Sequence, residues 1–423
     1  MFRIETSVFK KIIKVLNKVI AKKSRTPIIQ TVLIYTQPGT VTFIGGTLET
    51  FVKITMPINT TQYNSLCINY VLLKKVITAC QEMYIDVDYK QQQLILGEKS
   101  LSTLSSDEYP EIPSIAPLSP FTISNVDLIN ALTCAGKAHD RRALNHIYLD
   151  NIEGNIRLVA LDGYLLYLKD TECTWTPYVE NFLISRECAQ VVTAGIFGEP
   201  LSVNYGVANN HVMFDQSFSG DIKLAVIGRI LDDAYPPYKT ILPQNNPTTT
   251  IQFNPRTATQ ALKRLSSLAT IKNPVVLIHF SGDQAILKYK DLATGNSSTE
   301  LLPITGQGAG SVVGFKLDDL LRSLQATLTS NLVILEVRDD SKLVKVLWGD
   351  KKAFNVIVPL NPDVGDSFLS YEEKELCGVL TPLTLLATTA TPLKNTCKAK
   401  LTTALAKITE LEKEIRKLRR RIK

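Results

Sequence analysis

The feature that most constrains this chain is a pattern that restarts six times. A short alternating strand, an amphipathic helix and further strands begin at Phe2-Arg3-Ile4 with a helix over 7–22, at Phe121-Thr122-Ile123 with a helix over 125–137, and at Ile251-Gln252-Phe253 with a helix over 255–270. Halfway through each of these the pattern begins again. Leu66-Cys67-Ile68 leads into 70–81, Phe182-Leu183-Ile184 into 186–193, and Val313-Gly314-Phe315 into 318–326. Two strands follow each second helix: 85–89 and 93–96, 201–205 and 211–214, 332–337 and 343–347. A fixed repeat of this kind means copies of one supersecondary unit that share a core.

Paired, the six copies predict three domains over 1–119, 120–246 and 247–362, divided at Pro/Ser-rich and Asn/Pro/Thr-rich stretches. The helices carry apolar residues at i, i+3, i+4 spacing, as in Val8, Ile12, Val15, Leu16 and Val19, so each buries one stripe. The strands alternate with period two and turn at pairs such as Asp162-Gly163. The expected class is α+β, with helices packed on one face of antiparallel sheets. Beyond the body, 363–394 reads as an acidic segment and flexible linker. In 395–423, Leu401, Ala404, Ile408, Leu411, Ile415, Leu418 and Ile422 recur at alternating spacings of three and four, which predicts a basic coiled-coil helix with an unidentified partner.

Charge is unevenly placed. The net charge is +7, but residues 394–423 hold eleven Lys and Arg against three Glu, which leaves 36 of the 47 basic residues facing 37 of the 40 acidic ones in the body. Any nucleic-acid surface on the body must therefore come from local segregation. Lys10, Lys11, Lys14, Lys18 and Lys22 lie on the first helix, Arg141 and Arg142 after the third, and Arg256, Lys263 and Arg264 on the fifth. One basic helix face is usually solvated surface. Several at the same place of a repeat would meet phosphates if the units close into a ring.

Other classes are disfavoured. No run reaches the ~18 apolar residues of a membrane span, and Met1-Phe2-Arg3-Ile4-Glu5 lacks the layout of a signal peptide, so a cytoplasmic protein is expected. The seven cysteines include no C-x-x-C pair and read as free thiols, not as a zinc site. The four histidines form no metal or catalytic spacing, and no cofactor or metal is expected. Gly306-Gln307-Gly308-Ala309-Gly310 reads as a loop between strands, not a phosphate cradle, and Asp162-Gly163 as turn chemistry; an enzyme is not expected.

Over residues 1–362 the chain resembles the bacterial DNA polymerase III beta subunit, the beta sliding clamp. The resemblance is carried by Ser24-Arg25-Thr26-Pro27, by Asp140-Arg141-Arg142-Ala143-Leu144-Asn145-His146 continuing to Leu161-Asp162-Gly163-Tyr164-Leu165-Leu166, by Asp233-Ala234-Tyr235-Pro236-Pro237-Tyr238, and by Val356-Ile357-Val358-Pro359-Leu360. It implies a head-to-tail homodimeric ring around double-stranded DNA, with helices inside and sheets outside, that holds DNA polymerase, clamp loader and other proteins by short peptides. Its implied DNA contacts are Lys23, Arg141 and Arg142, to which the helix faces add Lys10, Lys14 and Arg264. The implied peptide pocket comprises Leu144, Leu161, Gly163, Tyr164, Leu165, Leu166, Pro236, Ile241, Val356, Val358, Pro359 and Leu360. Tyr109 and Leu268 fall at the implied dimer interface. The chain departs from the family at Leu161, Tyr164-Leu165, Pro237 and Leu360-Asn361, and in its extra C-terminal residues. Those departures suit a divergent clamp of a bacterium or of a phage-infected cell. They also leave a second reading, a clamp-like scaffold that recruits partners through its tail.

Overall fold

The computed structural model describes residues 2–359 except 22–23, 116–122, 137–139, 154, 175–180, 199–201, 209, 270–273, 291–293, 308–311, 339–342 and 350–352. The expected strand at Phe121-Thr122, Lys23, Leu360 and the whole coiled-coil segment lie outside the described residues.

The first unit runs β1 (Phe2–Glu5), α1 (Thr6–Leu16), β2 (Thr31–Gln37), β3 (Thr40–Gly46), β4 (Thr50–Pro57), β5 (Asn64–Asn69), α2 (Tyr70–Ala79), β6 (Tyr84–Lys90), β7 (Gln93–Leu96) and β8 (Lys99–Leu104). The second runs α3 (Asn125–Cys134), β9 (His146–Ile152), β10 (Asn155–Leu161), β11 (Leu165–Thr174), β12 (Phe182–Ser185), α4 (Arg186–Val192), β13 (Ser202–Ala208), β14 (His211–Phe218) and β15 (Ile222–Arg229). The third runs β16 (Thr249–Phe253), α5 (Pro255–Leu265), β17 (Val275–Ser281), β18 (Gln284–Lys290), β19 (Ser297–Pro303), β20 (Thr305–Gln307), β21 (Val312–Lys316), α6 (Leu317–Gln325), β22 (Val333–Val337), β23 (Val344–Trp348) and β24 (Ala353–Ile357).

Helix starts follow from the residues that end the preceding strands. Asn69, Ser124, Ser185 and Asn254 each accept a backbone N–H of the first turn on their side-chain oxygen, and Pro255 opens α5 where no N–H is needed. Several helices stop earlier than their periodicity predicts. α1 ends at Leu16, where the Asn17 side chain is taken by the Tyr70 hydroxyl and the Lys74 ammonium, both at 2.9 Å. Val19 and Ile20 remain in the core although the helix has ended. α5 likewise stops at Leu265 and gives way to a 3-10 turn at Ser266–Leu268. The glycine run is not wholly loop, as expected, because 305–307 form β20 beside β16. Gly306 is needed there: at φ +142° a Cβ would stand 2.1 Å from the Thr250 carbonyl oxygen.

All pairings are antiparallel, and two sheets pass from one unit into the next. β4 pairs with β15, with Phe51 opposite Ile227, and β11 pairs with β24, with Leu166 opposite Val356. The result is an eleven-stranded sheet, a nine-stranded sheet, and a four-stranded sheet, β19-β18-β17-β21. One buried core lies between the helices and the inner sheet faces of all three units. Three smaller clusters occupy the opposite, outer face.

Candidate functional site at the junction of the second and third units

Strand alternation sorts the predicted pocket residues. Along β10 and β11, Val159, Leu161, Leu166 and Leu168 point to the outer face, where Val356 and Val358 meet them from the third unit. Leu144 joins from a 3-10 turn at Arg142–Asn145, and Ile241 from another at Tyr238–Ile241. Leu165, one residue before Leu166, points the other way into the helix-covered core, so it lines no outer groove. The period of a strand allows only one of two neighbours on a given face.

The turn into β11 is built by Asp162 and Gly163. One carboxylate oxygen of Asp162 accepts the backbone N–H groups of Tyr164 (3.0 Å) and Leu165 (2.8 Å), and Gly163 takes φ +101°. The Val358 N–H then donates to the Tyr164 carbonyl at 3.1 Å, which stitches the end of the third unit to this turn. The other Asp162 oxygen lies 2.5 Å from Arg322 on α6, which also holds Asp319 at 2.6 Å. Burial and the Asp162 charge push the Asp319 carboxyl up despite this pairing. Beside it, Asn355 donates to the Ser323 carbonyl (3.1 Å) and hydroxyl (2.8 Å) from β24. The Tyr164 ring is half-buried, with the Lys316 ammonium 3.8 Å from its centroid.

The apolar cluster is covered by the connector that follows β15. Tyr235 stacks on Tyr148 with ring centroids 4.7 Å apart, and Tyr238 is buried with its hydroxyl donating to Asp150 at 2.5 Å. Lys239 stands 3.0 Å from the same carboxylate. Pro236 is buried and Pro359 half-buried at the two ends of the cluster. The Asp-x-Tyr-Pro motif thus supplies the lid of the site, which the sequence reading had not assigned to Tyr235 or Tyr238. The same reading missed Val159 and Leu168, whose signal was present as i, i+2 partners of Leu161 and Leu166. Arg322 gave no usable signal, because its partner Asp162 is 160 residues away.

The basic residues are placed by the repeat and are not gathered in one cluster. Lys10 is on α1 and donates to the Cys80 carbonyl at 2.8 Å; Lys14 is exposed in the last turn of that helix. Arg141 and Arg142 are exposed at the start of the 3-10 turn before β9, and His146 Nδ1–H donates to the Arg142 carbonyl at 2.8 Å. That position corresponds to the stretch before the 3-10 turn at Pro27–Gln30 in the first unit. Arg264, on α5, is held by Glu300 of β19 at 2.7 Å, so its charge is already matched. Tyr109 packs on Ile28, Leu33, Ile44 and Cys67, on the outer face of its own unit. Leu268 closes the 3-10 turn after α5, and its side chain lies outside the described residues. Among the described residues no helix is long and apolar enough to cross a membrane, and no three His, Cys, Asp or Glu gather as metal ligands.

Three tandem units of paired strand–helix–strands halves, joined by sheets that continue across each junction, are the architecture of the DNA polymerase sliding clamps. The beta subunit from DNA polymerase of Streptococcus pyogenes superposes with a TM-score of 0.75 at 17% identity, over 85% of this chain and 99% of that one. The DNA polymerase sliding clamp from Pseudomonas aeruginosa gives 0.74 at 17%, and the DNA polymerase III beta subunit from Thermotoga maritima 0.73 at 19%, over the same shares. No curated protein matches the sequence. Residues 1–113 match the family of the DNA polymerase III beta subunit, N-terminal domain. The first unit thus matches the beta-subunit N-terminal domain, and the chain as a whole shares the fold of the bacterial beta clamps.

Proposed function

We propose that the protein is a DNA sliding clamp: a head-to-tail homodimer that encircles duplex DNA and tethers polymerase, clamp loader and other replication proteins to it. The carrying observation is an edge strand in the third unit and a strand with one flank mostly unpaired in the first. Within the chain, the last strand of a first half-unit pairs with the last strand of the following second half-unit, as β4 with β15 and β11 with β24. The remaining members of those two sets are β19 and β8. β19 is the edge of its sheet, and β8 is met by β5 only at Thr103 and Leu104. Edges of matching type at opposite ends of a chain are satisfied by a second copy placed head to tail, and two such contacts close a ring.

The basic side chains on equivalent helices suit phosphate contacts, which position a protein without reading sequence. Topological linkage then supplies persistence, so tight binding is not needed and sliding is permitted. The expected behaviour after loading is retention on circular DNA at moderately high salt and prompt loss when the circle is linearised. Equal loss from circles and linear DNA would defeat the ring reading and leave only electrostatic binding. The role places the protein in the cytoplasm of a bacterial or phage-infected cell.

The junction of the second and third units is the proposed seat of partner peptides, because it combines an apolar cluster with the connector that covers it. Apolar peptide anchors would displace or extend the Tyr235–Ile241 lid. Tyr164 stands at the rim, so Tyr164→Ala is expected to weaken a clamp-binding peptide about tenfold, the order of one lost ~1.4 kcal/mol contact, with the fold retained. Unchanged affinity in a calorimetric titration would place the peptide elsewhere.

A further inference from the structure

The three units differ in what covers the outer face of their sheets. In the first, Leu33 and Ile44 are buried there beside Tyr109 and Ile112, which follow β8. In the second, Val159 and Leu166 are buried with Tyr238 and Ile241, which follow β15. Each covering segment leaves the last strand of its unit, crosses the outer face and ends at a junction. Ile115 reaches Phe51 and Ile227 beside the β4–β15 ladder, and Ile241 reaches Val356 beside the β11–β24 ladder.

Among the described residues no such segment covers the corresponding face of the third unit. Leu277 occupies in β17 the position that Leu33 occupies in β2, four residues before the hairpin pair in each. Ile286 lies near it on β18 in the outward register, and Leu301 on β19 is 55% exposed. None of the three belongs to a buried cluster among the described residues. Lys288 and Lys290 follow Ile286 on the same face of β18 and are exposed.

The last strand of the third unit is β24, and 64 residues follow Pro359. We propose that residues 363–376 are the third covering segment, docked on the outer face of β17–β19. Phe368 stands eleven residues beyond Ile357, which is enough chain to cross a face of this size. A four-stranded sheet is about 15 Å across, from strand spacings of ~4.8 Å, and ten extended residues span about 33 Å. Phe368 and Leu369 supply apolar anchors for Leu277 and Ile286. Asp363, Asp366, Glu372, Glu373 and Glu375, against the single Lys374, supply the negative charge that Lys288 and Lys290 attract. The basic C-terminal segment then departs from the outside of the third unit, not from its helix face.

The test is hydroxyl-radical footprinting of the full chain and of its Phe368→Asp/Leu369→Asp variant, read at Leu277 and Ile286. Both lie inside the four-stranded sheet, away from its β19 edge, so contact between copies through that edge does not shield them. Labelling of both is expected to rise several-fold in the variant, and Leu277→Asp is expected to raise labelling of Phe368 in turn. Equal labelling of Leu277 and Ile286 in the two proteins overturns the proposal, and does so whether or not the chain forms a ring.

Discussion

Arg322→Ala is expected to lower the free energy of the first unfolding transition in urea by about 3–5 kcal/mol at neutral pH, the cost of removing one member of a buried ion cluster. Arg322 is only 17% exposed and lies between Asp162 at 11% and Asp319 at 9%, so its loss strands two carboxylates with little access to water. The pair also bridges the second unit to the third, so the damage falls on the junction. The sign of the pH dependence follows. Burial already holds the Asp319 carboxyl up, and without the guanidinium it titrates further above the ~3.9 of an unfolded aspartate. A folded-state pKa that is raised favours folding below the unfolded value and loses that contribution as pH rises through the folded value. The defect should therefore be largest at pH 7 and shrink as pH falls towards about 4. A loss below about 1 kcal/mol at pH 7 would mean that the cluster behaves as a surface ion pair, and the burial argument would fail.

If the proposed head-to-tail dimer forms, a proline on the open side of β19 is expected to convert it to a monomer with at least a hundredfold loss of self-affinity, about 2.7 kcal/mol. Along an antiparallel strand, neighbouring residues direct their N–H groups to opposite sides. Of Ser298 and Thr299, one therefore donates to β18 and the other to the open edge. Proline removes the donor and its ring blocks pairing, so Ser298→Pro and Thr299→Pro should differ sharply. One variant keeps its dichroism spectrum and sediments as a monomer; the other loses stability of the third unit. If both folded proteins sedimented as dimers, β19 would not be the closing edge.

Much of this arrangement could be read before the coordinates. Period-two and period-3.6 patterns placed the six described helices and the strands that flank them, such as β1, β5, β6 and β7, because the inner faces of the repeat are buried in a common way, but not β4, β11, β15 and β24, which carry the junctions. Helix ends were less legible: α1 stops at Leu16, beside an Asn17 side chain held by Tyr70 and Lys74 from more than fifty residues away. The outer cluster was legible only in part. Leu144, Leu161, Leu166, Ile241, Val356 and Val358 do meet, whereas Leu165 was assigned to the wrong face because adjacent apolar residues at a junction leave the register ambiguous. Gly306 illustrates the opposite failure, in which a glycine taken for loop marks a close approach of two strands. The charge cluster at Arg322 depends on packing between units and leaves no local trace.

The ladders that cross from unit to unit have a mechanical consequence. A hydrogen-bonded sheet resists shear between its strands, because sliding one past the next breaks every bond in the ladder together. With β4 bound to β15 and β11 to β24, the three units behave as one stiff body and not as three beads on a string. Force applied to such a body is not absorbed at its internal joints. It is transmitted to the ends, where Lys99–Ser102 of β8 and the whole of β19 expose a single large apolar side chain, Leu301. The lever arm and the weak latch are built from the same strands.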